Sequence, residues 1–491
     1  MAAPTNTDAP KTTLAEDLRA LLRCPRELWL VYLATFFEYL GIFTFLQTLP
    51  LWLSSDFRFS DKQAGWWAAT FSMLVSLFVF LVGSIADIAG VRRTLLVSFA
   101  LAAVTRLAMS LASTPTAAIA ALLAFGFAYA TTSPVLQTAV QRASTKQTRA
   151  FAFSLWYVSF NVSGALSGPI IDGTRKYFLD PSTRQLVTKT IQLPLLGAKV
   201  MSANAAILGI GFLSATIAAI VVLFLRKNFE HRVEVEPDPK DVAFKDDADG
   251  YRDAPTATER AKEPRVEIEA PKPKPNPLQS LREVIAHKAF WRFMLMLALL
   301  CLVRMMFQHM HFTWPKYVIR ERGEDFPVGT LWSVNSMLIL VLAPLGTALT
   351  RKRKPFDVLL FGAFISSLSP FVLTLGSTMP YQVAMILLLT IGEALWSPRL
   401  YEYNISIAPR GKEATYVSLA ALPYFLAKFL VGPTSGYLLS AYCPAQGPRN
   451  PAMLWAIIGL TTMLGPVGIF FLRDLIQKKD EPAETAEATA K

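Results

Sequence analysis

Gly83-Ser84-Ile85-Ala86-Asp87-Ile88-Ala89-Gly90-Val91-Arg92-Arg93-Thr94 is a short basic turn between two long apolar runs, 63–85 and 95–112. A turn of the same kind, Gly346-Thr347-Ala348-Leu349-Thr350-Arg351-Lys352-Arg353-Lys354, joins the runs 328–349 and 357–376. A hydrocarbon core about 30 Å thick needs roughly 20 apolar residues per helix. Working outward with that length gives ten further runs, and they fall into two sets of six. The first six are 28–53, 63–85, 95–112, 117–140, 150–173 and 201–225. The second six are 289–318, 328–349, 357–376, 382–407, 415–439 and 452–473. The basic turn recurs between the second and third run of each set. The spacing therefore predicts an all-α membrane protein of twelve transmembrane helices, built as two six-helix bundles from an internal duplication.

This divides the chain into an N-terminal segment 1–27, a bundle 28–225, a linker 226–288, a second bundle 289–473 and a tail 474–491. The linker is rich in proline and charge, without apolar periodicity, and its 13 basic residues nearly cancel its 14 acidic ones. It reads as a disordered connection. With an even number of spans both termini share one side. That side carries 32 of the 48 Lys and Arg residues, against 11 in the opposite loops. The positive-inside rule makes it the cytoplasm, with the protein in a plasma or bacterial inner membrane. The loop 174–200 is the exception, with five bases on the outer side.

Composition agrees with this reading. Hydrophobic residues make up 53% of the 491, about 58% with the 25 glycines, against 17% charged, and mean hydropathy is +0.38. A soluble enzyme would have to expose that surplus as sticky surface. The net charge of +12 sits in short loops and flanks, where it orients helices and requires no nucleic-acid partner. Cys24, Cys301 and Cys443 share no short spacing, and His309 and His311 point to different faces of one helix, so no metal site is expected. No Walker loop or GxGxxG opens a helix, so neither ATP nor a nucleotide cofactor is expected to drive the chemistry. An ion gradient or the solute's own gradient remains.

The 83–94 turn resembles the G-x-x-x-D-x-x-G-R-[RK] signature of the major facilitator superfamily, carried by Gly83, Asp87, Gly90, Arg92 and Arg93. In that superfamily the loop serves the conformational cycle and does not touch the solute. Ile88 stands where a base usually follows the aspartate. Three further segments look like proton-coupled oligopeptide transporters. They are Phe37-Glu38-Tyr39-Leu40-Gly41 with Phe59-Ser60-Asp61-Lys62-Gln63-Ala64; Trp156-Tyr157-Val158-Ser159-Phe160-Asn161-Val162-Ser163-Gly164; and Gly392-Glu393-Ala394-Leu395-Trp396-Ser397-Pro398 with Ala408-Pro409. The last is similar to the G-E-x-x-x-S-P…A-P tenth helix of that family. The first departs from it, placing Thr35 and Phe36 where an E-x-x-E-R-F motif has Glu and Arg. The resemblance implies proton-coupled symport of a small polar solute such as a di- or tripeptide, by a monomer working through alternating access. Two other readings stay open: a proton antiporter exporting an amphipathic compound, and a transport-inactive receptor or scaffold on the same fold.

An ionised side chain at mid-bilayer costs at least ~2.5–3.5 kcal/mol, so it faces the bundle interior and takes a partner. Glu38, Arg304, Glu393 and Lys428 fall near the centres of spans one, seven, ten and eleven and are expected to meet at one depth. Glu393 is assigned as the titrating or amine-binding acid, Arg304 and Lys428 as anion partners, and Glu38 as a second acid. Arg106 either joins them or snorkels. On span seven Arg304, Gln308 and His311 recur at i, i+4, i+7 as a polar stripe, and His311 has the chemistry to titrate near neutral pH. Arg399 and Glu402 are expected to pair with each other. Tyr39, Tyr129, Tyr157, Trp396 and Tyr403 are cavity candidates, and Asn161, Thr131, Ser133 and Gln137 are neutral hydrogen-bonding ones. Trp66, Trp67, Trp314, Tyr317 and Trp332 are read as aromatic-belt anchors.

Overall fold

The computed structural model describes residues 25–144, 149–194, 196–226, 288–407 and 422–477; within these, the side chains of 80–89, 149–150, 288–289, 401–407 and 422–426 are not described. Six helices make the first half: α1 (Arg26–Asp56), α2 (Asp61–Ala89), α3 (Val91–Ser110), α4 (Pro115–Ala143), α5 (Arg149–Phe178) and, after the strands β1 (Lys189–Leu193) and β2 (Gly197–Met201), α6 (Ala203–Leu223). The second half holds α7 (Lys288–Phe312), α8 (Trp314–Arg322), α9 (Val328–Leu349), α10 (Pro355–Val372), α11 (Met379–Ile407), α12 (Leu422–Tyr442), α13 (Pro451–Phe471) and the short α14 (Arg473–Gln477). Among the described residues twelve of these helices are 18 residues or longer. Nine are long and apolar enough to cross a bilayer.

Local chemistry sets the breaks. Gly90 adopts φ +81°, a conformation that only glycine takes cheaply, and stops α2 one residue before α3. Thr114, Ser202 and Asn450 each cap a helix by accepting an amide three residues on, and Pro115 and Pro451 follow two of them where a missing N–H costs nothing. Pro315 corrects the expected span 289–318. It has no amide to offer the His311 carbonyl, so the helix ends at Phe312 and restarts as α8. In the exceptional loop 174–200, β1 and β2 form an antiparallel hairpin, Lys189 opposite Met201 and Leu193 opposite Gly197.

The duplication is visible in the packing. In the first half α1 packs on α6 and α5, α3 on α6 and α4, and α2 on α4. In the second half α7 packs on α13 and α12, α10 on α13 and α11, and α9 on α11. These are the same five pairings, helix for helix. The halves meet through α2 with α12 and α5 with α9, which exchange under the same correspondence.

Both crossings are closed at the end remote from the chain termini, called distal below. A Cβ on Gly65 would strike the Gly432 carbonyl oxygen, and one on Gly168 the Gly329 carbonyl oxygen, so backbones touch. Toward the termini the halves part. Tyr157, Asn161, Gly164 and Gly168 form one face of α5; Gly168 is pressed on α9 while Tyr157 is 41% exposed. On α9, Ser333 and Ser336 are buried and Thr347, on the same face nearer the termini, is exposed.

Candidate functional site

The site lies where the halves begin to part. From the second half, Glu393 on α11 accepts a hydrogen bond from the Asn335 amide on α9 (3.0 Å), and Asn335 donates also to the Thr390 hydroxyl (3.0 Å). Arg304 on α7 sets its guanidinium 5.1 Å over the Trp396 ring and lies within electrostatic reach of Glu393. The Trp396 indole N–H donates to Ser366 (3.1 Å), which fixes the ring under the cation. Arg304, Glu393 and Lys428 are each only half-buried.

One turn distal, the His311 Nδ1 is 2.8 Å from the Phe307 carbonyl, so Nδ1 carries the proton. His311 Nε2 is buried without a hydrogen-bond partner. Its ring stands edge-on to Trp332 (5.3 Å), and Lys428 acts on it electrostatically. Trp332 in turn meets Phe43 of α1 at 5.2 Å, an aromatic contact across the halves.

From the first half comes a wall of rings. Phe160 on α5 packs against Tyr39 (4.7 Å) and Phe43 (5.0 Å) of α1, and stacks on Trp156 and Tyr157 of its own helix. Asn161 is buried and donates to the Tyr157 carbonyl one turn back (2.9 Å), a bond internal to α5.

Glu38 is a correction to the expected four-charge meeting. It is fully buried and clamped bidentately by Arg106 of α3 (2.8 and 3.1 Å), which alone acts on it electrostatically. Arg106 also donates to the Gly211 carbonyl (3.3 Å) and lies 4.8 Å over Phe125. Gly41 makes the room, since a Cβ there would come within 2.8 Å of the Arg106 Nη1. The pair is internal to the first half. The other three charges, with His311, are drawn together by α7, α11 and α12.

Other expectations resolve individually. Gln308 is buried on α7 between Arg304 and His311. His309 faces elsewhere, its Nδ1 2.7 Å from the Thr313 hydroxyl. Arg399 donates to the Thr347 carbonyl and the Thr350 hydroxyl; Glu402 and Tyr403 have side chains outside the described residues, and Ala408 and Pro409 lie outside them altogether. Trp314, Tyr317 and Trp332 are not belt anchors. Trp314 is fully buried with its N–H on Gln382 (2.7 Å), Tyr317 is buried edge-on to Trp455, and Trp332 faces the site. A tryptophan near a span end carries no mark of whether it faces lipid or protein. Trp66, 56% exposed, fits a belt position. Asn335, Phe43 and Phe160 were not singled out from sequence as site residues. Phe160 stood inside a quoted motif; Asn335 gave no signal beyond being an amide in an apolar run.

Ion pairs hold the distal end across the halves. Asp61 of α2 takes Lys316 (3.0 Å) and Arg320 (2.7 Å) of α8, and Arg320 also donates to the Cys443 carbonyl (2.6 Å). Arg175 of α5 pairs with Glu324, and Asp172 accepts the amides of Gly329 and Thr330 (2.9 and 2.7 Å) at the start of α9. At the other end, Gly90 turns the chain, Arg92 donates to the Leu223 carbonyl ending α6 (2.9 Å) and Arg93 is exposed. The side chains of Asp87 and its neighbours lie outside the described residues. A separate cleft between α7, α12 and α13, lined by Met305, Pro433, Leu438 and Ile458, offers only apolar walls, since the Thr434, Thr461 and Thr462 hydroxyls are spent on their own helices.

No curated protein matches the sequence significantly. Solved structures do resemble the fold. The POT family transporter PepTSo superposes with a TM-score of 0.68 at 16% identity, covering 93% of this chain and 99% of that one. A POT family transporter in complex with 5-aminolevulinic acid gives 0.66 at 15%, covering 92% and 97%. The nucleoside transporter NupG gives 0.64 at 12%, covering 92% and 100%. The family model described as Major Facilitator Superfamily matches residues 31–432, most of the chain, and agrees with the paired six-helix halves. This protein is a member of the major facilitator superfamily, a multi-pass membrane transporter.

Proposed function

We propose that the protein is a proton-coupled symporter of a small organic solute, with di- and tripeptides the first class that the resemblance suggests. The two halves rock about the site between Glu393, Arg304 and the α1–α5 rings. The observation that carries this reading is the asymmetry of closure: glycine crossings and ion pairs at one end, splayed helices at the other, with a mid-span carboxylate between. That is one of the two end states alternating access requires. The charge bias places the open end toward the cytoplasm. Glu393 is the proton carrier. Its hydrogen-bond donor Asn335 is neutral, so binding or losing a proton breaks no ion pair through that contact, and Arg304 answers the change in charge.

The test is solute accumulation in proteoliposomes after a pH jump, together with counterflow at equal pH. A one-proton symporter concentrates a neutral solute about tenfold per pH unit, because both ratios are worth about 1.4 kcal/mol. Glu393→Gln should lose that accumulation and keep counterflow. Full accumulation by the variant would remove Glu393 from the coupling. Absence of counterflow for wild type across peptides, amino acids, nucleosides and organic acids would favour the scaffold reading.

A further inference from the structure

We infer that the solute held at this site is an amphipathic monoanion, one acidic head group on an aromatic or branched apolar body, rather than a zwitterionic peptide. The inference rests on the transport reading and narrows its substrate.

The charges decide the head. Among the described residues, Glu38 and Arg106 are the charged side chains at mid-span in the first half. They are fully buried, clamped to each other, and held behind Gly41 and Gly211. Breaking such a pair to serve a solute would strand a buried charge. The first half therefore brings no ionic group to the site, and Thr35, whose hydroxyl is bonded to the Val31 carbonyl, brings none either. The ionic groups of the second half near the site are Arg304 and Lys428 against Glu393, a balance of +1 when Glu393 is ionised and +2 when it is protonated. In both proton states the site attracts an anion. A peptide would bring its ammonium into that same field with no acid opposite.

The rings decide the body. Tyr39, Phe43, Trp156, Tyr157 and Phe160 line the α1–α5 side, and Asn161 among them has spent its amide on its own helix. A wall of this kind binds ring faces and branched carbons. His311 marks the seam between the two regions. It touches Trp332, feels Lys428, and holds a buried Nε2 with no partner, the place for a hydrogen-bonding atom of the head group.

Equilibrium binding of radiolabelled 4-phenylbutyrate to the purified full-length protein tests this, with dialanine and phenethylammonium as competitors. The expected result is saturable binding displaced by other aryl-alkanoates and by neither competitor. Lys428→Gln and Phe160→Ala should each weaken it about tenfold or more, and Phe160→Tyr should retain it. Thermal unfolding of each variant separates lost binding from lost fold, and the competition series in wild type needs no variant. Absence of phenylbutyrate binding, or tighter binding of dialanine or phenethylammonium, overturns the substrate class. Counterflow of dialanine in that event leaves the transport reading standing. Phenylbutyrate binding without counterflow sinks the transport reading and leaves the ligand class intact.

Discussion

Arg106 shows how differently two buried charges in one bundle are used. Its guanidinium is spent on Glu38, the Gly211 carbonyl and the Phe125 face, and the pair bolts α1, α3 and α6 together. Removing one partner of such a pair strands the other, so Arg106→Met should destabilise the protein by about 3–5 kcal/mol, and adding Glu38→Leu should restore most of the loss. Thermal unfolding in one detergent at one pH measures both; full stability of Arg106→Met would contradict a structural role. Gly41→Ala pushes a methyl against the same guanidinium and should cost about 1–3 kcal/mol. Sequence located Glu38, Arg304, Glu393 and Lys428 correctly in depth, because a charge in an apolar run is unmistakable. Direction round the helix was not legible: Arg106 was even-handed between lipid and interior until α3 was set against α1. Trp332 failed for the same reason.

At the scale of elements, the two crossings are the parts most sensitive to a single carbon. Gly65→Val or Gly168→Val must separate α2 from α12, or α5 from α9, because the obstacle is a backbone carbonyl that cannot rotate away. Each should shift the population toward an open distal end. Cys443 reports it without engineering, since it is fully buried at that end with its carbonyl held by Arg320. Its rate of alkylation by a maleimide, followed by peptide mass spectrometry to separate it from Cys301, should rise about tenfold or more, the factor a shift of ~1.4 kcal/mol produces. Asp61→Asn should act in the same direction by weakening the hold on Lys316 and Arg320. An unchanged rate in all three variants would refute distal opening as their effect. The hairpin loop carries a pH prediction. Asp180 accepts from the Ser182 hydroxyl (2.6 Å), the Ser182 amide (2.8 Å) and the Thr183 amide (3.2 Å), which holds its carboxyl below the ordinary carboxylate value. A lowered value means the turn's support is complete above about pH 4 and fades only as pH falls through the lowered value. Hydrogen exchange of the 180–184 turn should therefore stay slow at pH 4, and Asp180→Asn should abolish the dependence.

For the whole molecule, the architecture was legible because membrane spans are long, uniform and punctuated by basic turns, and because the two basic turns fell at matching places. The hairpin was not, since short exposed strands leave no apolar period in a loop. Nor was the break at Pro315, where apolar residues continue through the kink. Orientation is the prediction at this scale. Segment 226–288, with 13 Lys and Arg, follows α6 and precedes α7 on the termini's side. Trypsin should divide the protein into two six-helix halves in inside-out vesicles and leave it whole in right-side-out ones. The reverse pattern would invert the assignment of the open end.

The glycine crossings also set how such a protein can change over generations. Every single-base change away from a glycine codon that keeps an amino acid adds at least a methyl group, so Gly65, Gly168, Gly329 and Gly432 have no smaller neighbour to drift to. The rings at positions 39, 43, 157 and 160 are interconvertible in one base, Phe to Tyr or Leu, and each step reshapes the wall while leaving the hinge alone. Descendants of this chain are free to alter what they carry by small moves, while the way they rock is held fixed by four positions that admit no variation.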